Sequence, residues 1–184
     1  NRHYLEKVDY IVFVSHWQYE KFRYFFKIPE YKSLVIQNAT EKTSFYKRQE
    51  KIRLIYTSTA WRGLHILLDA FQHIKRDDVE LDVYSSADIY GKEFVRQQGH
   101  LYSEVIDRAK NLKNVNYFGY ATNSEIKNAL QSAHIFSYPS TFEETSCLAG
   151  IEAAIAGLDI VTTNFGALPE TFGSWAKYVN FDTN

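Results

Sequence analysis

The sequence predicts an α/β protein in which helices cover both faces of a parallel sheet. Short apolar runs rich in β-branched and aromatic residues recur along the chain, as buried strands require. Segments with helical spacing separate these runs, and alternation of strand and helix is typical of a Rossmann-like parallel sheet. Such sheets bind ligands beyond the carboxyl ends of their strands, so function is expected in the loops that follow each strand.

Each element follows from its own local pattern. The apolar runs lie at 10–14, 52–58, 79–85, 114–119, 134–139 and 159–163. Segment 63–75 places Leu64, Leu67, Leu68, Phe71 and Ile74 on one helical face. Thr122 and Glu125 have the spacing of a capping box at the start of another helix. The loops expected to carry function are therefore 57–63, 85–92, 119–123, 139–146 and 163–170.

The chain divides near residue 40 into two unequal parts. Residues 1–40 are predicted to form a strand, an aromatic helix and a second strand, which are too few to close a core. We interpret them as the end of one domain and its linker, and 41–184 as a second, ligand-binding domain. Since the 184 residues contain no methionine, we expect a fragment of a longer protein, with the second domain truncated at its C-terminus.

Composition excludes several classes of function. The net charge is -1 and the basic residues are dispersed, so no nucleic-acid partner is expected. No apolar run approaches the roughly 20 residues that cross a bilayer, and the N-terminus lacks the pattern of a signal peptide. A single cysteine precludes an internal disulfide. These features favour a cytoplasmic protein. The six histidines lack metal-ligand spacing, so no metal site is predicted.

One predicted helix suggests a contact outside the fold. It interleaves aromatic residues with basic ones: Trp17, Phe22, Phe25 and Phe26 with Lys21, Arg23 and Lys27. This pattern could touch an anionic membrane at its inner face, so a peripheral membrane contact stays open. Packing against a neighbouring domain is the favoured interpretation.

Two glutamates, Glu144 and Glu152, stand with seven residues between them around a run of small side chains. The pattern predicts a loop up to Thr145 and a helix from Ser146 that Gly157 ends. Glu152 then lies about two turns inside the helix, too far from Glu144 for a shared proton or a compact metal site. A ligand that spans both carboxylates fits better, although two charges on an ordinary helix are the simpler alternative.

Two strand-to-helix junctions are candidate anion sites. Thr145, Ser146 and Cys147 are small, so their backbone N–H groups could approach a phosphate at the positive end of the helix. Arg62, beside Gly63, can offer a forked, permanently charged donor to a phosphate. A carboxylate close to such an anion site, such as Glu152, can accept hydrogen bonds from the two hydroxyls of a ribose. A nucleoside diphosphate would span the arrangement. A solvated helix end at Arg62 and a reactive Cys147 thiolate remain alternatives.

The stretch "PSTFEETSCLAGIEAAIAGLDIVTTNFGALPE" resembles the signature of retaining GT-B glycosyltransferases of family 4. The paired glutamates, the alanine-rich turn before a glycine and the Gly-Ala-Leu-Pro-Glu ending appear in the family's order. The likeness extends over "VDYIVFVSHWQYEKF" and "SLVIQNAT", which are similar to the end of the family's N-terminal domain. It also covers "YTSTAWRGLHILLDAF" and "NVNYFGYATNSEIKNALQSAHIFSYPS", from the C-terminal, donor-binding domain.

The resemblance implies a metal-independent transfer of sugar, with retention, from a nucleotide-diphosphate sugar to a glycan, lipid or protein acceptor. Glu144 and Arg62 would be catalytic, Glu144 at the donor sugar and Arg62 at the diphosphate, while Glu152 would bind the ribose. The remaining donor-binding residues that it implies are Gly63, Thr57, Ser58, Thr145, Ser146, Cys147, Leu148, Gly119 and Tyr120. No cofactor is implied, and the acceptor would be bound mainly by the N-terminal domain.

This chain departs from the family at the phosphate. Tyr56 and Thr57 stand where Gly-Arg is common, so one phosphate cation is absent, and the hydroxyls of Thr57, Ser58 or Thr59 are candidate substitutes. Thr145, Ser146 and Cys147 replace the usual glycines between the glutamates. Two alternative functions therefore remain: a catalytically inactive module that binds a nucleotide sugar, and another GT-B enzyme such as a nucleotide-sugar epimerase.

Overall fold

The computed structural model describes residues 5–42, 50–87, 91, 93, 96 and 102–181, in which the chain forms two parallel sheets. The smaller sheet pairs β1 (Ile11–Phe13) with β2 (Ser33–Val35), and helix α1 (His16–Phe26) lies between them in sequence. The strand, helix and strand predicted for the first 40 residues are confirmed. Most of the predicted linker, residues 43–49, lies outside the described residues.

The larger sheet contains six parallel strands in the order β5-β4-β3-β6-β7-β8. They are β3 (Ile52–Thr57), β4 (Val79–Tyr84), β5 (Val115–Tyr117), β6 (Ile135–Tyr138), β7 (Asp159–Thr163) and β8 (Ala176–Val179). Side chains at the centre of the sheet, such as Ile55 and Leu81, are 0% exposed. Buried strands read as apolar runs, which is why the sequence located β3 to β7. The edge strand β8 was not predicted, and its residues alternate between half-buried and exposed.

Helices cover both faces of this sheet, as predicted. They are α2 (Leu64–Phe71), α3 (Ser103–Asn111), α4 (Asn123–Ser132), α5 (Leu148–Ile155) and α6 (Leu168–Phe172). Parallel connections are right-handed, so α2 and α3, which lead outward from β3, lie on one face, and α4, α5 and α6 lie on the other. The Thr122 and Glu125 capping box is present at the start of α4.

Helix α2 is shorter than the apolar spacing predicted. It ends at Phe71, and the buried positions Leu64, Leu67, Leu68 and Phe71 are confirmed. The expectation for Ile74 was wrong, because this residue lies beyond the helix end and is 39% exposed.

The strand order reverses between β3 and β6. The chain leaves β3 toward β4 and β5, then returns to place β6 on the other side of β3. The loops that follow β3 and β6 therefore diverge from one point, leaving a crevice at the carboxyl edge of the sheet.

The two sheets are joined by the carboxylate of Glu170. The backbone N–H groups of His16 and Trp17, at the first turn of α1, each donate to Glu170 at 2.8 Å. The ring Nδ1 of His16 lies 3.1 Å from the same carboxylate, and Gln37 Nε2 lies 3.5 Å away. Lys21 on α1 also forms an ion pair with Glu143. Helix α1 is thus anchored to helix α6 and to the loop that follows β6.

Candidate functional site

A cleft of about 270 Å³ opens at the carboxyl edge of the six-stranded sheet. It is lined from β3, β4, β5 and their loops, and from the starts of α4 and α5. Of the residues predicted from the sequence, seven line it: Thr57, Ser58, Thr59, Arg62, Gly119, Tyr120 and Glu152. Three of the loops expected to carry function, 57–63, 85–92 and 119–123, thus contribute to one cleft. Six predicted residues do not line it: Gly63, Glu144, Thr145, Ser146, Cys147 and Leu148.

Arg62 is held by two neighbours from the loop that follows β6. Its Nη1 donates to Oε1 of Glu144 at 2.7 Å, and its guanidinium carbon lies 4.3 Å from the centre of the Phe142 ring. A guanidinium above an aromatic face is attracted by the ring's negative face. Arg62 is therefore oriented before any ligand arrives.

Gly63 makes this approach of the two loops feasible. Its φ of 97° is in the left-handed region, and a Cβ there would lie 1.9 Å from the carbonyl oxygen of Pro139. The residue is thus required by packing. A contact between Gly63 and a donor stays a prediction.

Glu144 is buried beneath Arg62, with 4% of the residue exposed. Its Oε1 accepts a second hydrogen bond, from the hydroxyl of Tyr138 at 2.5 Å. Its backbone oxygen accepts from the N–H of Ala167 at 2.7 Å. Gly166 packs so closely on this segment that a Cβ would lie 2.6 Å from the same oxygen. The position of Glu144 is therefore fixed from β6, from the loop after β3 and from the loop before α6.

The start of α5 differs from the prediction. The helix begins at Leu148 with Cys147 as its N-cap, so Thr145 and Ser146 lie in the loop before the helix. Cys147 has φ of -101° and ψ of 88°, which is not helical backbone. The N–H groups at the helix start therefore belong to Leu148, Ala149 and Gly150. Glu152 is the fifth helical residue, about one turn inside α5 and not two.

Cys147 is 4% exposed, and burial together with the nearby charge of Glu144 raises the pKa of its thiol to about 12. The thiol is thus protonated near neutral pH. This opposes the alternative that Cys147 is a nucleophile, because the thiolate is the reactive species.

The far wall of the cleft is aromatic. Tyr84, the last residue of β4, stacks on Phe118 with ring centres 4.6 Å apart and planes at 9°. Gly119 follows in the left-handed region with φ of 71°, which turns the chain so that Tyr120 is 59% exposed at the rim. Flat apolar rings of this kind can pack against a heterocyclic base.

The sequence of this chain matches a known family over most of its length. The profile described as "Glycosyl transferases group 1" matches residues 35–184. The chain belongs to the group 1 glycosyltransferase family.

Three proteins are similar to this group 1 glycosyltransferase chain, one in sequence and two in solved structure. A human protein, one of the subunits of phosphatidylinositol N-acetylglucosaminyltransferase, is 28% identical over 142 residues, which is 74% of this chain and 28% of the relative. A point mutant of S. aureus TarM, solved with fondaparinux, α-GlcNAc-glycerol and UDP, superposes with a TM-score of 0.71 at 17% identity. Anabaena HepE, solved with UDP-glucose, superposes with a TM-score of 0.65 at 16% identity.

The chain spans less than half the length of each relative. It covers 35% of the TarM chain and 47% of the HepE chain, while 98% and 89% of this chain are matched. The parallel sheet with helices on both faces is thus that of GT-B glycosyltransferases.

The sequence did not predict three residues at the candidate site of this group 1 chain. Tyr138 donates to Glu144, Phe142 packs against Arg62, and Tyr84 lines the cleft. Tyr138 and Tyr84 are the last residues of their strands, so the rule that sites lie beyond strand ends could have found them. Phe142 follows β6 in a loop already expected to be functional. Its contact with Arg62 needs the tertiary structure.

Two features are absent from the part of the chain that the structure describes. Among residues 5–42, 50–87 and 102–181, no helix is long and apolar enough to cross a membrane. In the same part of the chain, no group of three or more histidine, cysteine, aspartate or glutamate side chains could hold a metal ion.

Proposed function

We propose that this chain binds a nucleotide-diphosphate sugar and forms the donor-binding part of a metal-independent, retaining glycosyltransferase of family 4. The observation that carries the proposal is the convergence of Arg62, Ser58 and Glu152 on one cleft at the reversal of strand order. A nucleotide sugar needs a cation and N–H donors for its diphosphate and an acceptor for its ribose diol. Arg62, the start of α5 and Glu152 can supply these groups.

The parts of the donor are assigned along the cleft. The base packs at Gly119 and Tyr120, and the ribose binds Glu152. The diphosphate lies against Arg62, with Thr57, Ser58 and the N–H groups at the start of α5, where Leu148 and Ala149 stand. The sugar reaches Glu144, which lies behind Arg62. Contacts with Gly63, Thr145, Ser146 and Cys147 remain part of the proposal at the edge of this path.

The relatives suggest which donor to test first. TarM was solved with UDP and HepE with UDP-glucose, and the human relative is named for transfer of N-acetylglucosamine. We therefore propose a UDP-sugar as the donor, and a glycan, lipid or protein as the acceptor.

The chemistry asked of these residues is chiefly electrostatic. As the sugar becomes oxocarbenium-like, negative charge develops on the leaving diphosphate. Arg62 and the N–H groups of α5 stabilise that charge from fixed positions, which costs no reorganisation during the reaction. The leaving phosphate accepts the acceptor's proton on the same face of the sugar, and this retains the configuration.

A calorimetric titration of the chain with UDP-, GDP- and ADP-sugars tests donor binding. We expect weak binding of one base class, and loss of that binding in Glu152→Ala. Glu104→Ala is the matched control, because Glu104 is an exposed glutamate in α3 on the other face of the sheet. Failure of every nucleotide to bind wild-type protein would contradict the proposal.

Catalysis is tested in the longer enzyme that we propose contains this chain, because acceptor binding is assigned mainly to its N-terminal domain. There Arg62→Ala should lower turnover by roughly 10²-fold, the scale of losing one transition-state donor. Turnover within about threefold of the parent would remove Arg62 from the catalytic set. Residues 1–184 alone should bind donor and transfer sugar inefficiently.

A second candidate is a catalytically inactive nucleotide-sugar binding module. It is favoured by the ion pair of Arg62 with Glu144, which partly neutralises the cation assigned to the diphosphate. Donor binding without transfer in the longer protein would support this candidate.

A cytoplasmic location with peripheral membrane contact is likewise a proposal. The membrane contact is supported by Tyr24 and Phe25 of α1, which are 88% and 74% exposed.

A further inference from the structure

The two carboxylate oxygens of Glu144 have unequal surroundings. Oε1 accepts hydrogen bonds from Arg62 at 2.7 Å and from Tyr138 at 2.5 Å. Within the described part of the chain, no group donates to Oε2. The hydrogen bonds that the described residues make to this side chain are thus concentrated on one oxygen.

Tyr138 is a fixed donor. The residue is 1% exposed, and its ring packs between Tyr56 and Phe136, with ring centres 5.9 and 5.5 Å away. Burial raises the pKa of its hydroxyl, so this group keeps its proton and donates it to Glu144. The hydroxyl of Ser58, which lines the cleft, lies 3.5 Å from the Tyr138 oxygen.

The second donor on Oε1 limits how Arg62 can hold Glu144. Guanidinium and carboxylate groups frequently pair through two parallel N–H bonds that occupy both oxygens. Here one bond is seen between the two groups, and the Tyr138 hydroxyl holds Oε1 from the side of β6. Without this hydroxyl, the carboxylate could turn and give both of its oxygens to Arg62.

We propose that Tyr138 is a positioning residue: its hydroxyl holds Glu144 so that Oε2 remains available to accept a hydrogen bond from a hydroxyl of the donor sugar. The inference rests on the proposed donor function, and Tyr138 itself touches neither the sugar nor the diphosphate. Tyr138 thereby contributes to the preference of the site for a nucleotide sugar over the bare nucleotide.

The test compares the affinities of wild type and Tyr138→Phe for UDP and for UDP-glucose or UDP-N-acetylglucosamine by calorimetry. The preference for UDP-sugar over UDP should fall about tenfold, the scale of one hydrogen bond to a charged acceptor, while UDP affinity stays within about twofold. Tyr56→Phe is the matched control. Tyr56 is 0% exposed, and its hydroxyl donates to the carbonyl of Thr59 at 2.7 Å, so this change removes a buried hydroxyl that does not touch Glu144. Its sugar preference should be that of wild type.

Coupling separates positioning from general damage. In a Glu144→Ala background, Tyr138→Phe should leave the sugar preference unchanged, because Tyr138 acts through the Glu144 side chain. An unchanged preference in the single variant, or an equal fall in both backgrounds, overturns the inference while leaving the proposed function intact. Absence of nucleotide binding by wild type overturns both.

A measurement on wild type covers the case in which Tyr138→Phe does not fold. The hydroxyl proton of Tyr138 should remain slow to exchange and visible by NMR at saturating UDP-glucose. The carboxyl carbon of Glu144 should shift further with UDP-glucose than with UDP. Loss of the Tyr138 proton signal on donor binding, or equal shifts with both ligands, overturns the inference.

Discussion

Arg62 and Glu144 stand 82 positions apart in the chain and are joined by a hydrogen bond of 2.7 Å between Nη1 and Oε1. The Arg62 side chain is 24% exposed, and that of Glu144 is 5% exposed. The cation assigned to the donor's diphosphate is thus already paired with the carboxylate assigned to its sugar. The pair therefore fixes the positions of both side chains relative to each other.

Removing the cation should cost stability. Arg62→Met leaves Glu144 buried with Tyr138 as its remaining donor among the described residues. We expect the free energy of unfolding to fall by roughly 2 kcal/mol. This is less than for a fully buried pair, because Arg62 is partly solvated. Urea denaturation measures the change. Adding Glu144→Gln to Arg62→Met should recover part of it, because the unpaired charge is then absent.

An exposed ion pair is the control for Arg62→Met. Lys113 and Asp77 lie 2.7 Å apart with 79% and 88% of their side chains exposed, so Lys113→Met should leave the urea midpoint unchanged. Equal midpoints for Lys113→Met and Arg62→Met would show that the Arg62 pair contributes no more than a surface contact.

Gly63→Ala should disrupt the site more than glycine conformation alone explains. The added Cβ would meet the Pro139 carbonyl at 1.9 Å, so the loops after β3 and β6 must separate. Thermal unfolding compares it with Gly119→Ala, where φ is 71° and the nearest atom to the new Cβ is 3.7 Å away. Gly119→Ala carries the strain of a positive φ without the clash. A smaller loss of thermal stability in Gly63→Ala than in the control would contradict the close approach.

Cys147 should resist alkylation in the folded protein. Its thiol pKa is raised to about 12 by burial, so the thiolate fraction near pH 8 is very small and access is closed. Iodoacetamide labelling followed by mass spectrometry should be slow without denaturant and rapid in concentrated urea. Fast labelling of native protein would restore the alternative of a reactive cysteine.

The anchor of α1 on Glu170 should depend on pH. Burial acts to raise the pKa of Glu170, but hydrogen bonds from His16 and Trp17 lower it below the ordinary value of 4.5 overall. Since the folded pKa is the lower one, the anchor is fully present above about pH 5 and is lost as pH falls through the folded pKa. Amide exchange of His16 and Trp17 should show protection declining below pH 4.5.

The variant Glu170→Gln tests the same anchor at constant pH. At pH 6 it should reduce protection of the His16 and Trp17 amides about fivefold, the scale of one helix cap. Glu20→Gln, at an exposed position on α1, should not change it. Equal protection in both variants would show that the carboxylate charge does not hold the helix.

Elements whose signal is local were predictable. Strands β3 to β7 are apolar because helices cover both faces of the sheet, and the Thr122 capping box is a contact between near neighbours. The residues at which helices begin and end were harder to predict. Ile74 continues an apolar spacing that α2 does not follow, and Cys147 has a non-helical backbone that delays the start of α5.

The sequence by itself determined the alternation of strands and helices, the edge of the sheet where the cleft lies and the family, because each depends on patterns within short stretches. The tertiary structure decided which side chains meet. It placed Arg62 on Glu144 and Phe142, brought Tyr138 to the same carboxylate and Glu170 to the start of α1. These contacts join loops from different strands, and their geometry depends on strand order and on close approaches such as Gly63 against Pro139.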